Sequence, residues 1–392
     1  MHPTVAHLDH SRAHGGAELA LRRTVLAAEG WTPQVFLPEP LAGRPAGGAG
    51  DADVADGPFG DLPRRGVPVH VAGPAQRAGL STGTGLAGGL RGTAGLLGVA
   101  RALRADPAFR GAAVVHANTT RAAVYGALAV DRRRQAFVVH LRDLVTAEGM
   151  GRLAHEAMRR WVLGRADAVV ANSRATLDSA RPYLAAGAEQ LVLQSPLGLE
   201  DPVPAGTVAD EVRTVGMVAR LAPWKGQELL VRAFARAFPA GDVRLRLVGA
   251  AQFGEDDDVA LRDLAGRLGV AERVDLIGHV EDVAAEIRAL DVCVQASLRP
   301  EPMGQNVLQY LALGRPTVVA GAGGPLEWVT DGENGLVFTP GSVESLAAAL
   351  GRLADDHALR ARLAAAAAAT PGIASDAEVA RRLGELFGSL GR

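Results

Sequence analysis

Short apolar, β-branched runs alternate along this chain with stretches of helical periodicity, and the alternation occurs twice with a break between. In the first half, runs at 5–8, 35–37, 67–71, 113–116, 137–140 and 168–171 read as strands. Helical patterns at 17–28, 122–129 and 152–163 lie among them. In the second half, strands are predicted at 214–218, 243–248, 273–277, 292–295, 317–319 and 335–338. Helices are predicted there at 227–237, 259–268, 283–289, 307–313 and 343–353. Strands that alternate with helices form parallel sheets covered on both faces. A length of 392 residues suits two such domains. The break, 199–208, carries two prolines, a glycine and acidic residues, as a linker does. A Gly-, Pro- and Ala-rich stretch from 38 to 98 reads as long surface loops.

Composition narrows the function classes. Basic and acidic residues number 41 and 43, so the basic excess typical of nucleic-acid binding is missing. The single cysteine, Cys293, rules out an internal disulfide. The N-terminal segment lacks the pattern of a secretory signal, and no apolar run is long enough to span a bilayer. The expected location is therefore the cytoplasm. Lys225 is the only lysine, and arginine supplies the other basic residues, as codon bias in a GC-rich genome would produce. The lone ammonium marks a position where a compact charge is needed.

Three segments could carry chemistry. Arg220-Leu-Ala-Pro-Trp-Lys225-Gly226 lies between a strand and a helix. Parallel sheets bind ligands beyond the carboxyl ends of their strands, so a guanidinium and an ammonium there suit a pyrophosphate. The alternative is a pair of solvated loop charges. Arg299-Pro-Glu301-Pro-Met303-Gly304-Gln305 places a carboxylate just before a helix start, whose backbone N–H groups face the ligand side. Gln305 and Gln309 share a face of that helix. A glutamate that only complements the helix dipole is the alternative. His14-Gly15-Gly16-Ala17-Glu18 allows close backbone approach to a phosphate, or simply makes a tight turn.

These segments, with Val169-Val-Ala-Asn-Ser173, Gly216-Met-Val-Ala-Arg220, Leu247-Val-Gly249 and Ile277-Gly278-His279-Val280, resemble a known family in order and spacing. Glu301-Pro-Met-Gly304, Leu313-Gly-Arg-Pro-Thr-Val318 and Asn334-Gly335-Leu-Val337 complete the set. The chain resembles the family-4 retaining glycosyltransferases of GT-B type over nearly its whole length. The resemblance implies an α/β fold of two Rossmann-like domains whose parallel sheets face each other across a cleft. It implies an acceptor-binding domain over 1–200 and a nucleotide-sugar-binding domain over 201–372. A final helix in 373–392 would pack back towards the first domain. The implied activity moves a hexose-type sugar from a nucleotide-diphosphate sugar to an acceptor hydroxyl, with no metal or other cofactor. The acceptor could be a cell-envelope glycoconjugate, a polysaccharide or a secondary metabolite.

The same resemblance assigns residues. Arg220 and Lys225 match the diphosphate-holding pair, and Glu301 the first glutamate of the E-x7-E motif. The backbone at Met303, Gly304 and Gln305 matches a sugar and phosphate contact. Gly278, His279 and Val280 match the turn beside the nucleobase, and Gly15 and Gly16 the N-domain glycines near the phosphates. His140 matches a histidine near the reacting centre. Apart from the resemblance, His116-Ala-Asn118 ends a strand and is a candidate for the acceptor side, with a satisfied strand-end histidine as the alternative. Gln309 stands where the family's second glutamate binds ribose, so its hydrogen bond lacks charge assistance.

Other readings compete. His7, His10 and His14 with Asp9 could form a metal cluster, although a loop role fits their context. Arg132-Arg-Arg134 could touch an anionic membrane surface, although charge runs are usually solvated faces. An epimerase, a phosphorylase using Lys225 as a pyridoxal-phosphate Schiff base, or a non-catalytic partner protein could share the architecture.

Overall fold

The computed structural model describes residues 2–40, 57–75, 86–199, 208–250 and 257–391, with the side chains of 86–92 and 257 left aside. The chain forms two compact units, Met1–Gly198 with Ala374–Arg392, and Leu199–Ile373. Most of the anticipated linker, 200–207, lies outside the described residues.

The first unit is built on a seven-stranded parallel sheet of order β3-β2-β1-β4-β5-β6-β7. Its strands are β1 (Thr4–Leu8), β2 (Thr32–Leu37), β3 (Val69–Val71), β4 (Val114–Ala117), β5 (Ala136–Leu141), β6 (Ala168–Ala171) and β7 (Glu189–Val192). The runs are apolar throughout because central parallel strands are buried on both faces. On one face Val5, Val35, Val114, Val138 and Val170 pack against Leu21 and Val25 of helix Gly16–Leu26. Val379, Leu383 and Phe387 of the last helix, Asp376–Leu390, complete that layer. On the other face Leu8, Phe36, Val115, Phe137 and Val139 meet Leu103, Tyr125 and Leu163.

The second unit carries a six-stranded sheet of order β10-β9-β8-β11-β12-β13. Its strands are β8 (Thr214–Val218), β9 (Arg244–Val248), β10 (Val274–Gly278), β11 (Val292–Gln295), β12 (Thr317–Ala320) and β13 (Leu336–Phe338), all parallel. Val215, Leu245, Leu247 and Val294 pack against Leu230 and Phe234 of helix Gln227–Ala237 and Leu346 and Leu350 of helix Val343–Asp355. In each sheet the winding direction reverses beside the first strand, between β1 and β4 and between β8 and β11. Such a reversal opens a crevice at the carboxyl ends of the strands. The two sheets carry the GT-B architecture of paired Rossmann-like folds.

Parts of the 38–98 stretch depart from the loop reading. Phe59, Leu62 and Val67 are core residues, and helix Leu86–Ala105 runs through its end. Glycines at 88, 89, 92, 95 and 98 interrupt the apolar periodicity in sequence. Packing of Val99, Ala100 and Leu103 holds the helix despite their propensity cost. The helix anticipated over 152–163 is present as Arg152–Ala157, but it widens into a π turn at Met158–Val162. Among the described residues, no helix is long and apolar enough to cross a membrane.

Candidate active site

In the second unit the predicted residues gather at the carboxyl ends of neighbouring strands. Arg220 and Lys225 follow β8, Gly278, His279 and Val280 end or follow β10, and Glu301 follows β11. Helix Gln227–Ala237 starts at Gly226 and helix Gln305–Ala312 at Gly304, both glycines in the left-handed region (φ +80° and +78°). Neither start has a side-chain cap. By contrast, Thr119, Ser173, Ser342 and Ser375 each cap a helix with a side-chain oxygen. Helix Gly16–Leu26, beginning at the predicted Gly15-Gly16 turn, likewise has no side-chain cap. Helix N-termini of this kind favour anionic groups.

At the centre, Lys225 Nζ donates to Glu301 Oε1 at 2.5 Å, and Ser297 Oγ donates to the same oxygen at 2.6 Å. Glu301 is 4% exposed. Lys225 Nζ also lies 4.2 Å from the Trp224 ring centroid, a cation–π contact. The structure thus brings Lys225 and Glu301 together, 76 residues apart in sequence. Arg220 and His279 are exposed, Met303 and Gln309 are buried, and Gln305 and Val280 are half-buried. The Glu301 turn sits on Gly323-Gly324: a Cβ at Gly323 would lie 2.4 Å from the Glu301 carbonyl oxygen. Ser297, Trp224 and this glycine pair were missed in sequence. Only the Gly-Gly step directly after a strand was available as a signal.

In the first unit, two polar rows cross the carboxyl end of the sheet. His7 Nδ1 and His116 Nδ1 are 2.8 Å apart, and His116 Nε2 and His140 Nδ1 3.2 Å apart. Two residues further along the same strand faces, Asn118 Nδ2 donates to Asp9 Oδ2 at 2.6 Å. Arg142 Nη2 donates to Asn118 Oδ1 at 2.7 Å, and Arg142 Nη1 donates to Ser195 Oγ at 2.6 Å. Burial lowers His7 to about 3 and holds His116 and His140 far below the usual imidazole range. Burial also raises the carboxyls of Asp9 and Glu18 well above their usual range, and for Glu18 the Asp9 charge adds to the effect. His116 and His140 therefore do meet, whereas Asn118 bonds Asp9 and Arg142 in the adjacent row. His7, Asp9, Arg142 and Ser195 join them, although sequence reading did not group them.

The cluster read as His7, His10 and His14 with Asp9 divides, because His7 turns towards His116. The ligand-type atoms of Asp9, His10 and Glu18 instead lie within 4.8 Å of one another. The buried Arg142 charge already acts on both of those carboxyls. Arg132 and Arg133 line, with Arg104 and Arg165, a cavity of about 400 Å³ at the opposite ends of the strands. Arg132 and Arg134 lie 3.8 and 4.0 Å from Asp167 and Asp131.

Comparison with known proteins gives two family matches. Residues 15–196 match the glycosyl transferase 4-like domain, and residues 204–370 match glycosyl transferases group 1. A D-inositol 3-phosphate glycosyltransferase of Stackebrandtia nassauensis is 38% identical over 168 residues, covering 40% of this chain and 37% of that protein. The lipopolysaccharide core biosynthesis glycosyltransferase LpsE of Rhizobium meliloti is 38% identical over 158 residues, covering 40% and 44%. The matched region thus spans less than half the length of these curated relatives. Among solved structures, Anabaena Alr3699/HepE in complex with UDP and glucose superposes with a TM-score of 0.75 at 27% identity, covering 99% of this chain and all of that one. Sucrose-phosphate synthase of Thermosynechococcus elongatus superposes with a TM-score of 0.74 at 20% identity, covering 99% of both chains, which speaks to fold alone.

Proposed function

Because the chain belongs to the family-4 glycosyltransferases of GT-B fold, we propose that it transfers a hexose-type sugar from a UDP-linked donor to an acceptor hydroxyl with retained configuration. The observation that carries this reading is the Lys225–Glu301 pair at 2.5 Å between two helix starts without side-chain caps. UDP and UDP-glucose are bound by the structural relative from Anabaena.

In this reading the second unit holds the donor and the first unit the acceptor. The donor diphosphate lies against Arg220, Lys225 and the helix starts at Gly226 and Gly304, and in the first unit the Gly15-Gly16 turn is a phosphate-type helix start. Glu301 and the backbone of Met303, Gly304 and Gln305 hold the sugar. Gly278, His279 and Val280 border the uracil, and Gln309 binds the ribose. As the glycosidic bond breaks, negative charge develops on the diphosphate, and Arg220 and Lys225 stabilise it where it forms. A leaving phosphate oxygen takes the acceptor hydroxyl proton on the same face of the sugar. In the first unit His140 bonds a ligand hydroxyl, and His116 and Asn118 support that side. The charge stabilisation rests on these side chains and calls on no metal ion.

Without donor, Glu301 neutralises Lys225, so phosphate and carboxylate compete for one ammonium. Glu301→Gln should therefore lower kcat with UDP-glucose by more than about tenfold, or about 1.4 kcal/mol. Calorimetric affinity for bare UDP should stay within about threefold, because the released ammonium remains available to phosphate. Equal losses in both would assign Glu301 to the nucleotide. A thermal-shift series with UDP, GDP, TDP and ADP sugars identifies the donor, since a ligand at about 100 Kd adds about 2.7 kcal/mol of stability. Stabilisation by none of them would sink the reading.

A further inference from the structure

Three imidazoles in a row pose a proton-counting problem. His7, His116 and His140 are 0, 1 and 2% exposed, and burial keeps all three neutral. Three neutral rings carry three N–H protons. Two occupy the His7–His116 and His116–His140 contacts, which leaves one for an end nitrogen. Those ends, His7 Nε2 and His140 Nε2, are buried without a partner. Each ring has one donor and one acceptor nitrogen, so the row is directional. Either His140 Nε2 bears the proton and His7 Nε2 is bare, or the reverse.

The surroundings select one direction. At the β1 end the His7 ring lies 4.9 Å from Trp31 and 5.9 Å from Phe387, measured between centroids. These rings enclose the His7 end of the row in aromatic packing, and the charges of the second row set the direction. The second row adds a fixed polarity. Asp9 stands two residues beyond His7 on β1, and Arg142 two residues beyond His140 on β5, joined through the Asn118 amide. Negative charge at one end and positive charge at the other draw the protons of the adjacent row towards His7. Burial and the Arg142 charge both act against a proton on His116 and His140.

We propose that His7 and His116 are positioning residues that fix His140 as the neutral tautomer protonated on Nδ1, so that its bare Nε2 accepts a hydrogen bond from a ligand hydroxyl. The hydroxyl contact rests on the function proposed above, whereas the tautomer lock does not. His116 Nδ1–H donates to His7 Nδ1, His140 Nδ1–H donates to His116 Nε2, and the remaining proton sits on His7 Nε2. His140 then selects a hydroxyl over a phosphate oxygen, because two acceptors cannot bond.

The test is long-range ¹H–¹⁵N correlation on the full chain labelled with ¹⁵N-histidine, with signals assigned through single His→Gln variants. The expected result is an unprotonated Nε2 on His140 and a protonated Nε2 on His7. His116→Phe interrupts the row and Arg142→Met removes its polarising charge. Each should turn the single His140 tautomer into a mixture, and Arg142→Met reads the outcome if His116→Phe does not fold. A protonated His140 Nε2 in the parent protein, or an unchanged tautomer in both variants, overturns the lock. With UDP-glucose, His116→Phe should raise KM about fivefold and change kcat less. If the tautomers respond as stated but saturating UDP-glucose leaves the His140 signals unmoved, the hydroxyl contact is overturned and the lock stands.

Discussion

Lys225 is gripped from two sides, by the Glu301 carboxylate at 2.5 Å and by the Trp224 ring at 4.2 Å. A planar guanidinium fits that space differently. It would bond the Glu301 carboxylate in bidentate fashion and stay there when phosphate arrives. Lys225→Arg should therefore lower kcat/KM by more than about tenfold, or about 1.4 kcal/mol, although charge is kept. Steady-state rates with UDP-glucose check this, and near-normal activity would remove the special role of the lysine. Glu18 gives a pH-dependent case. Burial first, then the Asp9 charge, raises its carboxyl from an ordinary 4.5 to about 8. The folded state thus holds a proton that the unfolded chain releases near pH 4.5. Its contribution to stability is full below that pH and is lost as pH rises towards 8. Glu18→Gln keeps the neutral form throughout. The variant should match the parent near pH 4 and exceed it by about 4 kcal/mol at pH 8, read by urea unfolding. A difference that does not vary with pH would contradict the shift.

The loop between β8 and helix Gln227–Ala237 depends on close backbone approach. A Cβ on Gly226 would lie 2.0 Å from the Ala296 carbonyl oxygen, and its φ of +80° disfavours any other residue. Gly226→Ala should cost about 2–4 kcal/mol and weaken UDP binding, because Lys225 is its neighbour. Gly241 has φ +96° but nothing within 4 Å of the added carbon, so Gly241→Ala should cost only about 1–2 kcal/mol. Similar losses in the two variants would show that the close contact is unimportant. Elements also differ in how readable they are. Central strands such as Ala168–Ala171 announce themselves as unbroken apolar runs because both their faces are covered. The edge strand Glu189–Val192 was missed, since its first two residues are polar and exposed and it has a neighbour on one side only. The motifs gathered in the second unit were legible because each is contiguous. The histidine row was not, because register brings together residues 109 and 24 positions apart. A faint signal existed in His7-Leu-Asp9, His116-Ala-Asn118 and His140-Leu-Arg142, the same His-x-polar step at three strand ends.

Across the whole molecule, the first unit is discontinuous in sequence. Phe387 is fully buried, with ring centroids 5.2 Å from Trp31 and 5.5 Å from His116. Phe387→Ala should destabilise that unit by about 3–5 kcal/mol and leave Leu199–Ile373 with its own transition. Scanning calorimetry should show one transition shifted down and one unmoved. A uniform shift of a single transition would mean that the units unfold together.

This discontinuity also sets an order of events during synthesis. The sheet of the first unit leaves the ribosome early, but one face stays only partly covered until Asp376–Leu390 emerges. Residues 199–373 must be translated in between, roughly 10–35 s at about 5–20 residues per second. For that interval Val5, Val114 and Val138 lack the layer that Val379, Leu383 and Phe387 later provide. The second unit can finish first, so the nascent chain matures from its middle outward. Chaperones that bind exposed valine-rich strands should therefore crosslink to the first 198 residues for as long as the second unit is being made, and release them once the last helix has cleared the exit tunnel.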